Sequence, residues 1–246
     1  MSGVVIRFLG SGDAFGSGGR FQTCIHVDAA SDSFLIDCGA SSLVAMKRSG
    51  VDPAGIATVL LTHLHGDHFG GLPFLVLDGQ FSKRTTPLTV AGPPGMRERV
   101  TAAMEVLFPG SSTVERRFSA EFLELQAGYG STIGTVDVTP FEVPHRSGAP
   151  AYAYRIGCEG KVIAYSGDCE WNEALVKASR DADLFVCEAL FFDKQVPWHL
   201  DYATLRSHLG ELTCKRIVLT HMDSDMLARL AEIEVEAAAD GLEIRL

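Results

Sequence analysis

The densest chemistry in the chain is Thr62-His63-Leu64-His65-Gly66-Asp67-His68-Phe69-Gly70-Gly71, where three imidazoles and a carboxylate fall within six residues. These are the donors that hold zinc and comparable borderline divalent ions, and a metal held by such a set can activate water for hydrolysis. An apolar strand precedes the cluster and an amphipathic stretch over 69–77 follows it. The donors therefore belong to a strand-to-helix loop, where side chains converge without being buried unpaired. A lone histidine is more often a packed or surface residue, but three with an aspartate at a strand end point to a metal. The pattern has an echo: 59–68 aligns with 217–226, each an apolar strand ending in Thr-His. That suits two similar halves, each delivering a histidine to one shared cleft.

The elements that must position these residues follow from periodicity. Short β-rich apolar runs at 4–9, 33–36, 58–61, 88–91, 136–143, 152–156, 162–165, 184–187 and 217–219 alternate with helical patterns at 42–48, 94–108, 171–179 and 225–239. This is a mixed α/β chain. Two alternating runs over 151–165 flank Cys158-Glu159-Gly160-Lys161 and predict a hairpin. No linker, charge block or low-complexity tract divides the 246 residues, so 1–246 reads as one domain. With 21 Lys and Arg against 31 Asp and Glu, the formal charge of −10 opposes the broad basic surface that long nucleic acid requires. No apolar run approaches the roughly 18 residues of a membrane-spanning helix, and the amino terminus shows no export leader. The six cysteines are spread without a Cys-x-x-Cys pair and read as buried thiols in a reducing compartment. A cytoplasmic protein with no membrane partner is expected.

The order His63-x-His65-x-Asp67-His68 resembles the His-x-His-x-Asp-His signature of the metallo-β-lactamase superfamily. The resemblance continues through His145 after Glu142-Val143-Pro144, Asp168 in Tyr165-Ser166-Gly167-Asp168, and His221 in Leu219-Thr220-His221. It covers the chain from Phe8-Leu9-Gly10-Ser11-Gly12-Asp13 to His221. What it implies is an αββα sandwich of two mixed β-sheets flanked by helices, with a dinuclear metal site at one sheet edge. Position by position, it implies that His63, His65 and His145 bind one divalent ion, that Asp67, His68 and His221 bind the second, and that Asp168 bridges them. Zinc is the first expectation, with manganese or iron as alternatives.

Within the superfamily the chain resembles the branch of ribonuclease Z and related phosphodiesterases. Phe34-Leu35-Ile36-Asp37-Cys38-Gly39 looks like that branch's early strand and Asp-x-Gly turn, with Asp37 as a partner for a ligand histidine. Glu188 and His199, the latter 22 residues before His221, resemble its glutamate–histidine pair beside the scissile phosphate. The implied roles are catalytic: His199 stabilises an oxygen or protonates the leaving group, Glu188 orients it, and Asp67 doubles as metal ligand and acid/base. The chain departs from ribonuclease Z at Leu200 and Asp201, where small hydroxyl residues would follow the histidine. A second departure is spacing: only 23 residues separate His145 from Asp168, where ribonuclease Z carries its tRNA-binding arm. Armless small phosphodiesterases of the branch fit better.

The expected function is a dinuclear metal-dependent hydrolase acting on a small or nucleotide-like phosphodiester. Its alternatives are tRNA 3′ processing without the arm, lactone or sulfate-ester hydrolysis, and a non-catalytic metal-containing ligand-binding protein. The resemblance is also compatible with a homodimer. Three further readings concern the surroundings of the site. The loop 10–19 would offer backbone amides to a phosphate, Cys169 would touch the centre, and Phe191, Phe192 and Trp198 would form an apolar substrate wall.

Overall fold

Strand periodicity decides the layers. Along Ser33–Ile36, Phe34 and Ile36 join one apolar cluster while Leu35 joins another, and all three are fully buried. A strand covered on both faces requires something packed on each side of its sheet. In the computed structural model, which describes residues 3–246, those coverings are a second sheet on one face and helices on the other. Met1 and Ser2, with which the amino-terminal reading began, lie outside the described residues.

The first sheet contains β1 (Val5–Gly10), β2 (Cys24–Asp28), β3 (Ser33–Ile36), β4 (Thr58–Leu60), β5 (Leu88–Gly92) and β6 (Ala120–Glu124). The second contains β7 (Ser131–Ile133), β8 (Val136–Val143), β9 (Ala151–Cys158), β10 (Lys161–Tyr165), β11 (Leu184–Glu188), β12 (Ile217–Thr220) and β13 (Glu236–Ala237). The chain then returns as β14 (Glu243–Arg245) to pair antiparallel with β1. The orders are β14-β1-β2-β3-β4-β5-β6 and β13-β12-β11-β10-β9-β8-β7. From β14 to β6, and from β7 to β13, three antiparallel pairings are followed by three parallel ones. The inner faces meet in one core, with Phe8, Ile25 and Phe34 from one sheet against Tyr154, Ile163 and Val186 from the other. The outer faces are covered by α1 (Ser42–Arg48), α3 (Leu72–Phe81) and α4 (Met96–Leu107) on one side, and by α5 (Glu173–Ser179), α6 (Tyr202–His208) and α7 (Ser224–Ala228) on the other. The short α2 (Gly66–Phe69) lies within the histidine motif. This is the αββα sandwich that the resemblance implied.

Three expectations are corrected. The helix expected over 225–239 ends at Ala228, because Glu236 and Ala237 pair in parallel with Val218 and Leu219. Ala238 N also donates to Leu219 O at 2.7 Å. Satisfying the open backbone edge of β12 outweighs the helical preference of an alanine-rich run. Helix α4 begins at Met96 rather than Pro94, since Gly95 holds a φ of 82° that no helix contains. The stretch after the motif is not amphipathic: α3 buries Leu72, Pro73, Leu75, Val76 and Gly79.

Candidate metal centre

The motif and its distant partners all leave strand ends on one edge of the sandwich. Asp37 follows β3, His63 follows β4, His145 follows β8, Asp168 follows β10, Glu188 ends β11 and His221 follows β12. His65 is the N-cap residue of α2, whose turn carries Asp67 and His68. The Asp37-Cys38-Gly39 turn packs directly on that helix: Cys38 N donates to His68 O at 2.6 Å, and a Cβ on Gly39 would meet Asp67 O at 2.3 Å. Tyr154 from the facing sheet donates its hydroxyl to Leu61 O at 2.6 Å, tying the two sheets together beside the motif.

The expected donors gather into two groups, His63 with His65 and His145, and Asp67 with His68, Asp168 and His221, each within 4.8 Å, and a third group of the same span joins Asp168 and His221 to Glu188 and His199. Asp168 stands between the first two, its Oδ2 lying 3.8 Å from His63 Nε2 and 3.4 Å from His221 Nε2. His68 Nε2 is 3.3 Å from both Asp67 Oδ2 and Asp168 Oδ1, and His221 Nε2 is 3.2 Å from Asp67 Oδ2. Tetrahedral zinc bonds of about 2.0–2.2 Å place neighbouring donors roughly 3.3–3.6 Å apart, and the spacings around His68 and His221 fit such a shell, while His63 to Asp168 is wider. The ring nitrogens are also sorted for it. His68 Nδ1 donates to Asp37 Oδ2 at 2.7 Å, His63 Nδ1 to Thr62 Oγ1 at 3.0 Å, and His145 Nδ1 to the Trp198 carbonyl at 2.8 Å. Each leaves Nε2 as a lone pair facing the centre. His63 Nε2, His68 Nε2 and Asp168 Oδ1 are buried without a hydrogen-bond partner. Buried polar atoms without partners are costly, and a metal ion satisfies all three.

The charges divide the two groups: burial opposes charge on His68, but Asp168, Asp67 and Asp37 outweigh it and hold the ring well above the usual histidine range, so a bound ion there would take the place of its proton. Burial, reinforced by the neighbouring His68, holds His63 well below the usual histidine range, and burial also lowers His65 and His145, so these rings are neutral at pH 7, the state in which an imidazole can bind a metal. The carboxylates favour positive charge at the other group: burial opposes protonation of His221, yet Asp168 and Asp67 outweigh it and raise its pKa to about 9. Burial likewise opposes ionisation of Asp168, but His221 and His68 hold it well below the carboxylate range.

Glu188 is fully buried, and its Oε1 accepts a short hydrogen bond from His199 Nδ1, while Oε2 accepts from Cys169 N at 2.8 Å. His199 also lies 4.0 Å from Asp168 Oδ2, and its side chain keeps 25% exposure. His65, Asp67, Asp168, His199 and His221 line one cavity of about 380 Å³. The loop 10–19 reaches the site, since Asp13, Ala14 and Phe15 line this cavity, although Phe15 N and Ser17 N are taken up by Asp13 Oδ1 and Ser11 N by Asp240 Oδ1. The other expected surroundings are corrected. Cys169 is fully buried, with its thiol directed to Ser166 O rather than to the cavity. Phe192 packs on Tyr202, Phe191 lies beside Lys194, and Trp198 contributes its carbonyl to His145, so none of the three lines the cavity. The large apolar side chains that do so are Phe15 and Leu190, which the sequence did not single out.

Comparison with known proteins finds the same fold and family. The family described as "Anti-Pycsar protein Apyc1" matches residues 4–236. A ribonuclease Z from Methanosarcina mazei is 26% identical over 267 residues, covering 89% of this chain and 87% of its own. Among solved structures, the metallo-β-lactamase fold protein YhfI from Bacillus subtilis superposes with a TM-score of 0.82 at 18% identity, covering 100% of both chains. A diphosphatase of the PhnP family superposes with a TM-score of 0.78 at 19% identity, covering 99% of this chain and 98% of that one.

Proposed function

We propose a substrate class for this chain, which belongs to the family described as "Anti-Pycsar protein Apyc1" and is a metal-dependent hydrolase of the metallo-β-lactamase fold: a small or nucleotide-like phosphodiester. The observation that carries the proposal is the position of Asp168 between two histidine-containing groups, with the Glu188–His199 pair opening on the same cavity. His63, His65 and His145 would hold one divalent ion, Asp67, His68 and His221 a second, and Asp168 would contact both. Zinc suits these donors, and manganese or iron can replace it. Bound there, two such ions would lower the pKa of a water molecule and offset charge on the phosphoryl oxygens. Asp67 would take the proton of the attacking water. His199 would deliver a proton to the departing oxygen or hydrogen-bond to a phosphoryl oxygen, with Glu188 fixing its ring.

The relative from Methanosarcina mazei motivates tRNA 3′ processing as a second reading. Against it, strands β9 and β10 close through Glu159-Gly160 where the arm of ribonuclease Z would lie, and the formal charge is −10. A small diester makes no demand for a long basic surface. The test is metal analysis coupled to a substrate panel. Two ions per chain and turnover of bis(p-nitrophenyl) phosphate are expected. Failure on every phosphodiester with opening of lactones, sulfate esters or thioesters would overturn the assignment, and cleavage of precursor tRNA would favour the second reading.

A further inference from the structure

We propose that Phe15 determines specificity, its ring forming the wall on which a planar aromatic group of the substrate stacks. This inference takes from the phosphodiester reading only the identity of the reacting group. Phe15 is 94% exposed, the most exposed of the large apolar side chains among the described residues. Single exposed apolar residues are common, so exposure alone assigns nothing. What distinguishes Phe15 is that its backbone is fastened at the cavity that holds the candidate metal donors.

The fastening is polar and buried. Asp13, only 3% exposed, uses Oδ1 to accept from Phe15 N at 3.2 Å and Ser17 N at 2.8 Å, and Oδ2 to accept from Ser17 Oγ at 2.7 Å. Gln22 Nε2 donates to Ala14 O at 2.9 Å. The same loop is anchored to the metal centre, because His221 N donates to Ser11 O at 3.1 Å and Gly12 pairs with Met222. Phe15 is therefore placed relative to His221 through two residues of ordered backbone on either side of Asp13. Phe15 is one of the residues lining the cavity that holds Asp67, Asp168, His199 and His221, with Leu190 as the other large apolar residue. At about 380 Å³, that cavity is larger than a phosphoryl group needs and falls within the range of small-ligand sites, roughly 300–1,000 Å³. A phenyl ring carried on fastened backbone beside a phosphate-sized polar centre is complementary to a substrate carrying a ring near its phosphorus, since offset stacking adds to simple apolar burial.

The test uses metal-loaded protein and two phosphonates that cannot be hydrolysed. In calorimetry, phenylphosphonate is expected to bind about three- to tenfold more tightly than methylphosphonate, the factor that an aromatic pair supplies. Phe15→Ala should bring the two affinities together, and Phe15→Tyr should restore the difference. On p-nitrophenyl phenyl phosphate, Phe15→Ala should raise KM by the same roughly three- to tenfold, with kcat changed less than about twofold. A phenyl preference that survives Phe15→Ala, or equal binding by the unaltered protein, overturns this inference alone. So does a change of sedimenting mass in Phe15→Ala, which would assign the ring to an interface between copies. Binding of neither phosphonate overturns both readings. A Phe15-dependent phenyl preference without phosphodiester turnover overturns only the reaction.

Discussion

Three of the candidate ligand imidazoles, His63, His68 and His145, are aimed by what their Nδ1 touches. For His63 and His68 the aiming groups are Thr62 and Asp37, and Thr62 itself donates from both N and Oγ1 to Asp37 at 2.8 Å, making one buried network. For His145 the aiming group is a main-chain carbonyl, presented by Trp198 at a φ of 73°. Such a backbone costs about 1–3 kcal/mol. It is held by the bond from Trp198 N to Glu170 Oε1 at 2.7 Å and by Arg146 over the ring. The side-chain partners were legible in the sequence as motif residues; the carbonyl was not, because any residue supplies one. At Asp67, burial opposes the charge, but His68 and His221 outweigh it and hold the carboxyl well below its usual range. Asp67→Ala is expected to lower kcat about 100- to 10,000-fold, the span of a lost proton-transfer group, and to reduce metal content in elemental analysis, with the circular dichroism spectrum unchanged. At His199, burial lowers the pKa, but the hydrogen bond and charge of Glu188 raise it above the usual histidine value. A proton-donating His199 makes activity fall on the alkaline side. Glu188→Gln removes the group that raises the pKa, so the alkaline limb of the kcat–pH profile should move to lower pH; an unmoved limb would assign the proton to another group.

At the level of elements, the site is a set of strand ends, and most of the strands that supply it were legible as apolar runs, whereas β2, interrupted by the buried His26, was not. Strands β3, β4, β8 and β11 read directly from such runs. The hairpin was legible too, since Glu159 and Gly160 adopt φ values of 50° and 71°, as a tight two-residue turn requires. Strands β6 and β14 were not, because edge strands alternate charged residues with few apolar ones and acquire their pairing from a neighbour. The Thr-His echo also took a different meaning. Both strands deliver a histidine to the cleft, but β4 is fifth of seven in its sheet and β12 sixth, so the counterpart of β4 is β11, which ends in Glu188. The tight junction beside the candidate donors is Gly39 against α2. Gly39→Ala would place a methyl 2.3 Å from Asp67 O, and backbone on both sides has little freedom to yield. We expect a loss of about 1–3 kcal/mol, with weaker metal binding, read by thermal unfolding and zinc titration.

Over the whole molecule, the centre is a seam between two seven-stranded sheets, so occupying it bears on how the halves hold together. Metal at a thousandfold excess over its Kd stabilises by about 4 kcal/mol. At about 2–4 °C per kcal/mol for a chain of this size, chelation should lower Tm by roughly 8–16 °C, recovered on adding zinc. The metal-free protein should also respond to alkali. The folded pKa of His221, about 9, exceeds its ordinary value of 6.5, so the stability from its protonation is complete below pH 6.5 and lost as pH rises through 9. A differential scan across that interval should show the decline without metal and little of it with metal. No helix among the described residues is long and apolar enough to cross a membrane. The sequence by itself marked the candidate donors and the alternation of elements, because donor type, spacing and apolar periodicity are local properties of a chain. Only the tertiary structure decided that Trp198 gives a carbonyl rather than a ring, that Phe191 and Phe192 lie away from the cavity, and that Phe15 lines it. Those outcomes depend on which strand ends meet, and that is set by pairing and packing between residues far apart in the chain.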